Sequence, residues 1–209
     1  MTGKSFDRES TFNIDIHGYL DDEEANEVIK AANKTNDPIR NKTMLIFLYH
    51  TGCRVSEMLG VRKKDVMFKK KMIVIETLKK RNKILKPIYR FIPMTEVNKD
   101  QLHYYMDYLQ KKEKIELDDN DKIFPISRQS VYYMVRTCGD LSGHEMVGDT
   151  WMHPHAFRHS FAINYLKRGG DLRKLQMILG HSSINITSVY LKFAPDDLVK
   201  EFEKVYGGN

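Results

Sequence analysis

Residues 153–190 read HPHAFRHSFAINYLKRGGDLRKLQMILGHSSINITSVY, and the punctuation of this stretch says more about the fold than any other part of the chain. Pro154 suits the first helical position, where its missing N–H leaves no hydrogen bond unmade, so a helix is predicted from there to Arg168. Gly169-Gly170 stop it, Asp171 caps a second helix, and Gly180 ends that one. Ser182 or Ser183 caps a third helix carrying Tyr190, and Pro195 closes it. Leu198, Phe202, Val205 and Tyr206 recur at the spacing of a final amphipathic helix.

Working towards the N-terminus, Cys138 to Thr150 holds three glycines and reads as a loop, and Ser127 or Ser130 caps a helix through Arg136. Leu117 to Lys122 is an acidic loop, and Gln101 to Lys112 is helical with a tyrosine-rich face. Lys71 to Leu78 is rich in β-branched residues; Asn82-Lys83 can turn, and Ile84 to Met94 returns as a second strand. A short strand near Val66 to Phe68 completes a three-stranded sheet. Helices are expected at Ser56 or just before it, around Met44, Leu45, Phe47 and Leu48 up to Thr51-Gly52, and from Asp21 or Asp22 through Ala25, Val28, Ile29 and Ala32. The class is α+β, mostly α-helical with a small antiparallel three-stranded β-sheet. Residues 1–19 read as an N-terminal arm and residues 20–209 as one domain including the C-terminal helix.

A chain of 209 residues with 41% hydrophobic content can bury one core. No apolar run approaches the ~20 residues that span a bilayer, and Met1 to Asn13 lack the apolar stretch of a signal peptide, so a soluble, cytoplasmic protein with no membrane partner is expected. Cys53 and Cys138 are too few for a disulfide framework and read as reduced core residues. The net charge of +6 is unevenly spread: between Val61 and Arg90 twelve basic residues face Asp65 and Glu76, a local +10 that leaves the rest of the chain at −4. Such a field suits a phosphate backbone, although charge alone fits equally an exposed hairpin kept soluble by lysine.

His155, Arg158 and His159 lie at i, i+3 and i+4 at a helix start and therefore share a face. Two imidazoles and a guanidinium beside a helix N-terminus make an anion site that a phosphate fits. His153, His155, His159 and His181 also admit a zinc reading, which lacks a nearby carboxylate ligand and the H-E-x-x-H arrangement. The short helices around Gly180 resemble a helix-turn-helix, which makes a non-enzymatic DNA-binding regulator the rival reading.

Taken together, His155-Ala-Phe-Arg158-His159-Ser160-Phe161-Ala162, then Gly170-Asp171-Leu172, Leu179-Gly180-His181-Ser182-Ser183 and Tyr190, resemble the second signature box of the phage-integrase family of tyrosine recombinases. Leu48-Tyr49-His50-Thr51-Gly52-Cys53-Arg54-Val55-Ser56-Glu57 resembles the first, with the basic hairpin between them. The resemblance runs from about Tyr19 to Lys192 and implies the DNA breaking-rejoining enzyme fold. It implies double-stranded DNA as partner, self-association as a tetramer on DNA with a monomer possible when free, and neither metal nor cofactor. By the same resemblance Arg54 and Arg158 clamp the scissile phosphate, His155 is the histidine of the H-x-x-R element, His181 holds the His/Trp position, and Tyr190 is the nucleophile. The family's hairpin lysine is assigned to Lys79, with Lys80 the close second because the hairpin lacks a G-K-G sequence.

The chemistry suits these residue types. A phosphodiester needs an oxygen nucleophile, charge neutralisation in the transition state and a proton for the leaving 5′-hydroxyl, which tyrosine, arginines and lysine supply in turn. His155 is expected to assist deprotonation of Tyr190 and His181 to bond a phosphate oxygen. A second enzymatic reading is a type I-B topoisomerase, which would relax strands without exchanging partners. Family members usually carry a further helical DNA-clamping domain before the catalytic one, so a minimal recombinase and a fragment of a longer integrase are both expected readings.

Overall fold

The computed structural model describes residues 18–77 and 87–193. Helix α1 (Asp22–Ala31) starts at Asp21, which accepts from the Glu23 and Glu24 amides while Glu24 returns a bond to the Asp21 amide, a complete capping box. Helix α2 (Pro38–Thr51) has proline in its first turn and ends at Gly52, whose φ of 59° is left-handed. A Cβ at Gly52 would lie 2.3 Å from Cδ1 of Phe161, so both the conformation and the close approach require glycine. Arg54 then precedes the short helix α3 (Val55–Met58).

Strands β1 (Val66–Met67), β2 (Met72–Thr77) and β3 (Ile88–Pro93) form an antiparallel sheet in that order, with Ile75 opposite Arg90 and Val74 opposite Phe91. The pleat buries Ile73, Ile75, Arg90 and Ile92 and leaves Tyr89 and Phe91 exposed. Helix α4 (Glu96–Lys111) begins at Glu96 rather than at the expected Gln101, because Thr95 caps it by accepting from the Asn98 amide. Helix α5 (Arg128–Ser142) likewise runs past Arg136. Its Gly139 is a packing residue rather than a breaker: a Cβ there would stand 2.7 Å from both the His144 carbonyl and Cβ of Met152. The segment read as a loop also contains a two-residue hairpin, β4 (Met146–Val147) with β5 (Thr150–Trp151).

Helices α6 (Pro154–Lys167) and α7 (Leu172–Leu179) match the punctuation, with Asp171 and Gly180 as the caps of α7. Helix α8 (Ile184–Ser188) is capped by Ser183 and stops before Tyr190, which sits in a 3-10 turn, Val189–Phe193. The hairpin tip with Lys79, Lys80 and Asn82-Lys83, and the C-terminal helix through Leu198, Phe202, Val205 and Tyr206, lie outside the described residues, as do residues 1–17 of the arm.

Helix α2 is buried nearly all round and packs against both α4 and α6, which joins the two signature segments in space. Cys53 and Cys138 are free and buried, and burial pushes their thiols up to about 12 and about 11. A smaller cluster unites Ala162, Ile163 and Leu166 of α6 with Leu175 and Leu179 of α7 and with Tyr190. Helix α7 thus contributes to the domain's own core. Among the described residues no helix is long and apolar enough to cross a membrane.

Candidate active site

The turn Gly52–Arg54, the N-terminal half of α6 and the C-terminal end of α7 converge on one cleft of about 430 Å³. Arg54, Ser56, Thr77, Arg128, His155, His181 and Ser182 line it. Arg158 lies beneath: its Nη1 donates to the Gly52 carbonyl at 2.6 Å, and its Nη2 to the Leu179 carbonyl at 2.9 Å and to Nε2 of His181 at 2.8 Å. One guanidinium therefore ties the first signature segment to the second. Burial, then the charge of Arg54, lowers its pKa to about 10, still far above neutrality.

The imidazoles are neutral near pH 7. Burial, with Arg158 beside them, pushes His155 down to about 4 and His181 down to about 3. Since a guanidinium only donates, Nε2 of His181 must accept, and Nδ1 carries the proton towards Thr187 Oγ1 at 3.0 Å. In this arrangement His181 offers the cleft no Nε2–H.

Tyr190 is 2% exposed and does not line the cleft. Its hydroxyl is hydrogen-bonded to Nδ1 of His159 at 3.0 Å. Burial raises the phenol's pKa, and Arg158 and Arg54 draw it back only in part, so the group rests protonated. The hydroxyl's hydrogen-bond partner is thus His159, one turn along α6 from the expected His155, which instead stands on the cleft wall. Spacing put both histidines on one face and gave no means of choosing between them.

Sequence reasoning also missed Glu57 and Arg90. The Glu57 side chain is inaccessible and takes four donors: Arg90 Nη2 at 2.7 Å and Nη1 at 3.2 Å, Arg54 Nη1 at 3.1 Å and the Arg54 amide at 2.9 Å. Burial pushes the carboxyl up, but the bonds and charge of Arg90 and Arg54 outweigh it and hold it below the usual carboxylate range. The detectable signal was the placement of Glu57 three residues after Arg54; nothing in the sequence marked Arg90 among its basic neighbours. Arg54, Arg158, His155, His181 and Tyr190 are gathered in one region, whereas Lys79 falls outside the described residues. No group of three or more His, Cys, Asp or Glu side chains is placed to hold a metal ion among the described residues, so the four histidines do not converge as zinc ligands.

Residues 18–196 match the sequence model of the phage integrase family. Tyrosine recombinase XerA of Thermococcus onnurineus (strain NA1) is 31% identical over 170 residues, 79% of this chain and 55% of that protein. The crystal structure of XerA recombinase superposes with a TM-score of 0.68 at 28% identity, covering 90% of this chain and 65% of that one. A post-cleavage complex of XerH site-specific recombinase with its palindromic difH substrate gives 0.69 at 21% identity over 89% of this chain and 52% of that one, a likeness of fold. The chain spans about half the length of the curated relatives it matches. With both signature segments joined through Arg158 and most of its length matched, the chain belongs to the phage integrase family, as a tyrosine recombinase catalytic domain.

Proposed function

We propose that this chain cuts and rejoins double-stranded DNA in site-specific recombination through a transient 3′-phosphotyrosine at Tyr190, without metal or ATP. The observation that carries the reading is the cleft itself: Arg54 and two neutral histidines on its wall, Arg158 beneath, and a protonated tyrosine hydroxyl nearby. The scissile phosphate would occupy the cleft, its non-bridging oxygens held by Arg54 and, once it turns from His181, by Arg158. Two guanidiniums then neutralise the charge of the pentacoordinate transition state. Release of Arg158 lets His181 move its proton to Nε2 and donate to a phosphate oxygen.

The Tyr190 oxygen attacks phosphorus, its proton passes to His159 Nδ1, and the bond to the 5′-oxygen breaks, that oxygen taking its proton from Lys79 or Lys80. Because the hydroxyl is buried at rest, cleavage includes a step that brings the Val189–Phe193 turn towards the bound phosphate. The ester stores the energy of the broken bond, so religation to another strand requires no nucleotide. XerH was captured with DNA after cleavage, which supports a DNA partner here, and assembly of protomers into a tetramer on two sites is part of the same reading.

The test is covalent capture. Wild type and Tyr190→Phe are incubated with a pool of nicked, sequence-randomised duplexes, denatured, and examined for protein–DNA adducts. An adduct in wild type alone, formed with chelator present, is expected. Absence from wild type on a duplex it demonstrably binds would refute the mechanism, and relaxation of supercoiled DNA without recombinant joints would favour a topoisomerase.

A further inference from the structure

Arg90 belongs to the cluster at the cleft but neither lines the cleft nor stands in the reacting set. Its guanidinium is the point at which three elements meet. Two nitrogens grip Glu57 of α3, Nη1 also donates to Thr77 Oγ1 at 2.9 Å, and Nε donates to the Ile178 carbonyl at 2.7 Å. Thr77 ends β2 two residues before Lys79, Ile178 lies in the last turn of α7 three residues before His181, and Glu57 holds Arg54. A Cβ at Gly180 would stand 3.1 Å from Arg90 Nη1, so the guanidinium is packed against the turn that leads to His181. Consecutive carbonyls at the end of α7, those of Ile178 and Leu179, are thus each taken by a different arginine, Arg90 and Arg158.

Charge arithmetic gives this placement a purpose. A carboxylate offers about four lone-pair sites, and Arg90 fills two of them from a side chain only 9% exposed. Arg54, 36% exposed, contributes one side-chain nitrogen and one amide, and its other guanidinium nitrogens have no acceptor among the described residues. Without Arg90, a buried carboxylate would have Arg54 as its sole bonded cation. The fork-on-fork geometry that Arg90 now satisfies would draw Arg54 inwards. A phosphate would then compete with Glu57 for the same guanidinium.

We propose that Arg90 is a positioning residue for the phosphate cleft: it carries the charge of Glu57 so that Arg54 stays turned outwards, and it fixes the ends of β2 and α7 against each other. The inference rests on the phosphate-cleft reading above, and its test separates the two. Wild type, Arg90→Gln, Arg90→Lys and Glu57→Gln/Arg90→Gln are compared, as full chains, by two measurements. One is the single-turnover rate of adduct formation on a nicked duplex captured by wild type. The other needs no cleavage: inorganic phosphate is titrated against the guanidinium Nε–H resonance of Arg54.

Arg90→Gln is expected to weaken phosphate binding about tenfold or more, equivalent to about 1.4 kcal/mol, and to slow adduct formation at least as much. Arg90→Lys, with charge but no fork, should fall between. Removing the charge of Glu57 as well should restore phosphate affinity by several-fold over Arg90→Gln, although it adds a second change to the same cluster. A merely structural Arg90 gives the opposite order, the double variant being no better than the single, and that result overturns the proposal. So does Arg90→Gln behaving as wild type in the phosphate titration. If wild type forms no adduct while the phosphate results come out as expected, the phosphotyrosine reading fails and the role of Arg90 stands.

Discussion

Replacing Arg158 by alanine should cost this protein fold stability as well as chemistry. The side chain is buried and supplies a donor to the carbonyls of Gly52 and Leu179 and to His181 Nε2. Leaving a buried acceptor unsatisfied costs about 1–3 kcal/mol, so the two carbonyls alone imply roughly 2–6 kcal/mol before any cavity is counted. Against a domain stability of about 5–15 kcal/mol, that is a large share. The assay is urea unfolding followed by far-UV circular dichroism, run beside adduct formation under conditions where each variant remains folded. Arg158→Lys is the companion: it keeps a charge, but one nitrogen cannot span both carbonyls, and partial recovery of stability with little recovery of cleavage is expected. Arg158→Ala unfolding within about 0.5 kcal/mol of wild type would show that water replaces the guanidinium at both carbonyls, and the reasoning from Gly52 to Leu179 would be wrong.

Gly52→Ala should destabilise by about 2–4 kcal/mol, from the left-handed backbone and the 2.3 Å approach to Phe161; adding Phe161→Ala to Gly52→Ala in a double-mutant cycle should reveal favourable coupling, and simple additivity would rule out the clash. The folded chain resists protonating His155 until about pH 4 and His181 until about pH 3, whereas an unfolded histidine titrates near 6.5. The unfolded state therefore binds more protons as pH falls below about 6.5, and stability should drop between pH 7 and 5, before the carboxylates are protonated. Urea midpoints at the two pH values check this, and His155→Gln should flatten the dependence; an unchanged slope would count against it. Arg128, on the cleft rim, should contribute one phosphate contact, so Arg128→Ala is expected to reduce the salt dependence of DNA binding by about one counterion, measured by fluorescence anisotropy across a salt series.

Local punctuation made most helices legible, because a cap or a stop is written in one or two residues: Asp21, Pro154, Asp171 and Gly180 each do in the structure what their residue types favour. The loop expected from Cys138 onwards is helical as far as Ser142, because the reason Gly139 is glycine is the approach of His144 and Met152, which only tertiary packing creates. The arginine and histidine components of the site were legible through their resemblance to a family pattern. What joins them was not. Arg90 is separated by 33 residues from Glu57 and by 88 from Ile178, and no periodicity links positions so far apart. The expectation of His155 beside the Tyr190 hydroxyl differs from the structure for another reason: His155 and His159 share a helical face, and only the placement of the final 3-10 turn brings His159 to the hydroxyl.

The bond from Arg158 to the Gly52 carbonyl spans 106 residues of chain, and that from the Leu20 amide to Ser160 Oγ spans 140. Closing such loops costs conformational entropy that only a completed core repays. Catalytic competence should consequently arise late and all at once during folding, after helical content has largely recovered. Refolding followed by circular dichroism and by phosphate binding would then show a lag between the two signals. A nascent chain would have no partly assembled cleft with which to engage DNA before its last signature segment has been synthesised.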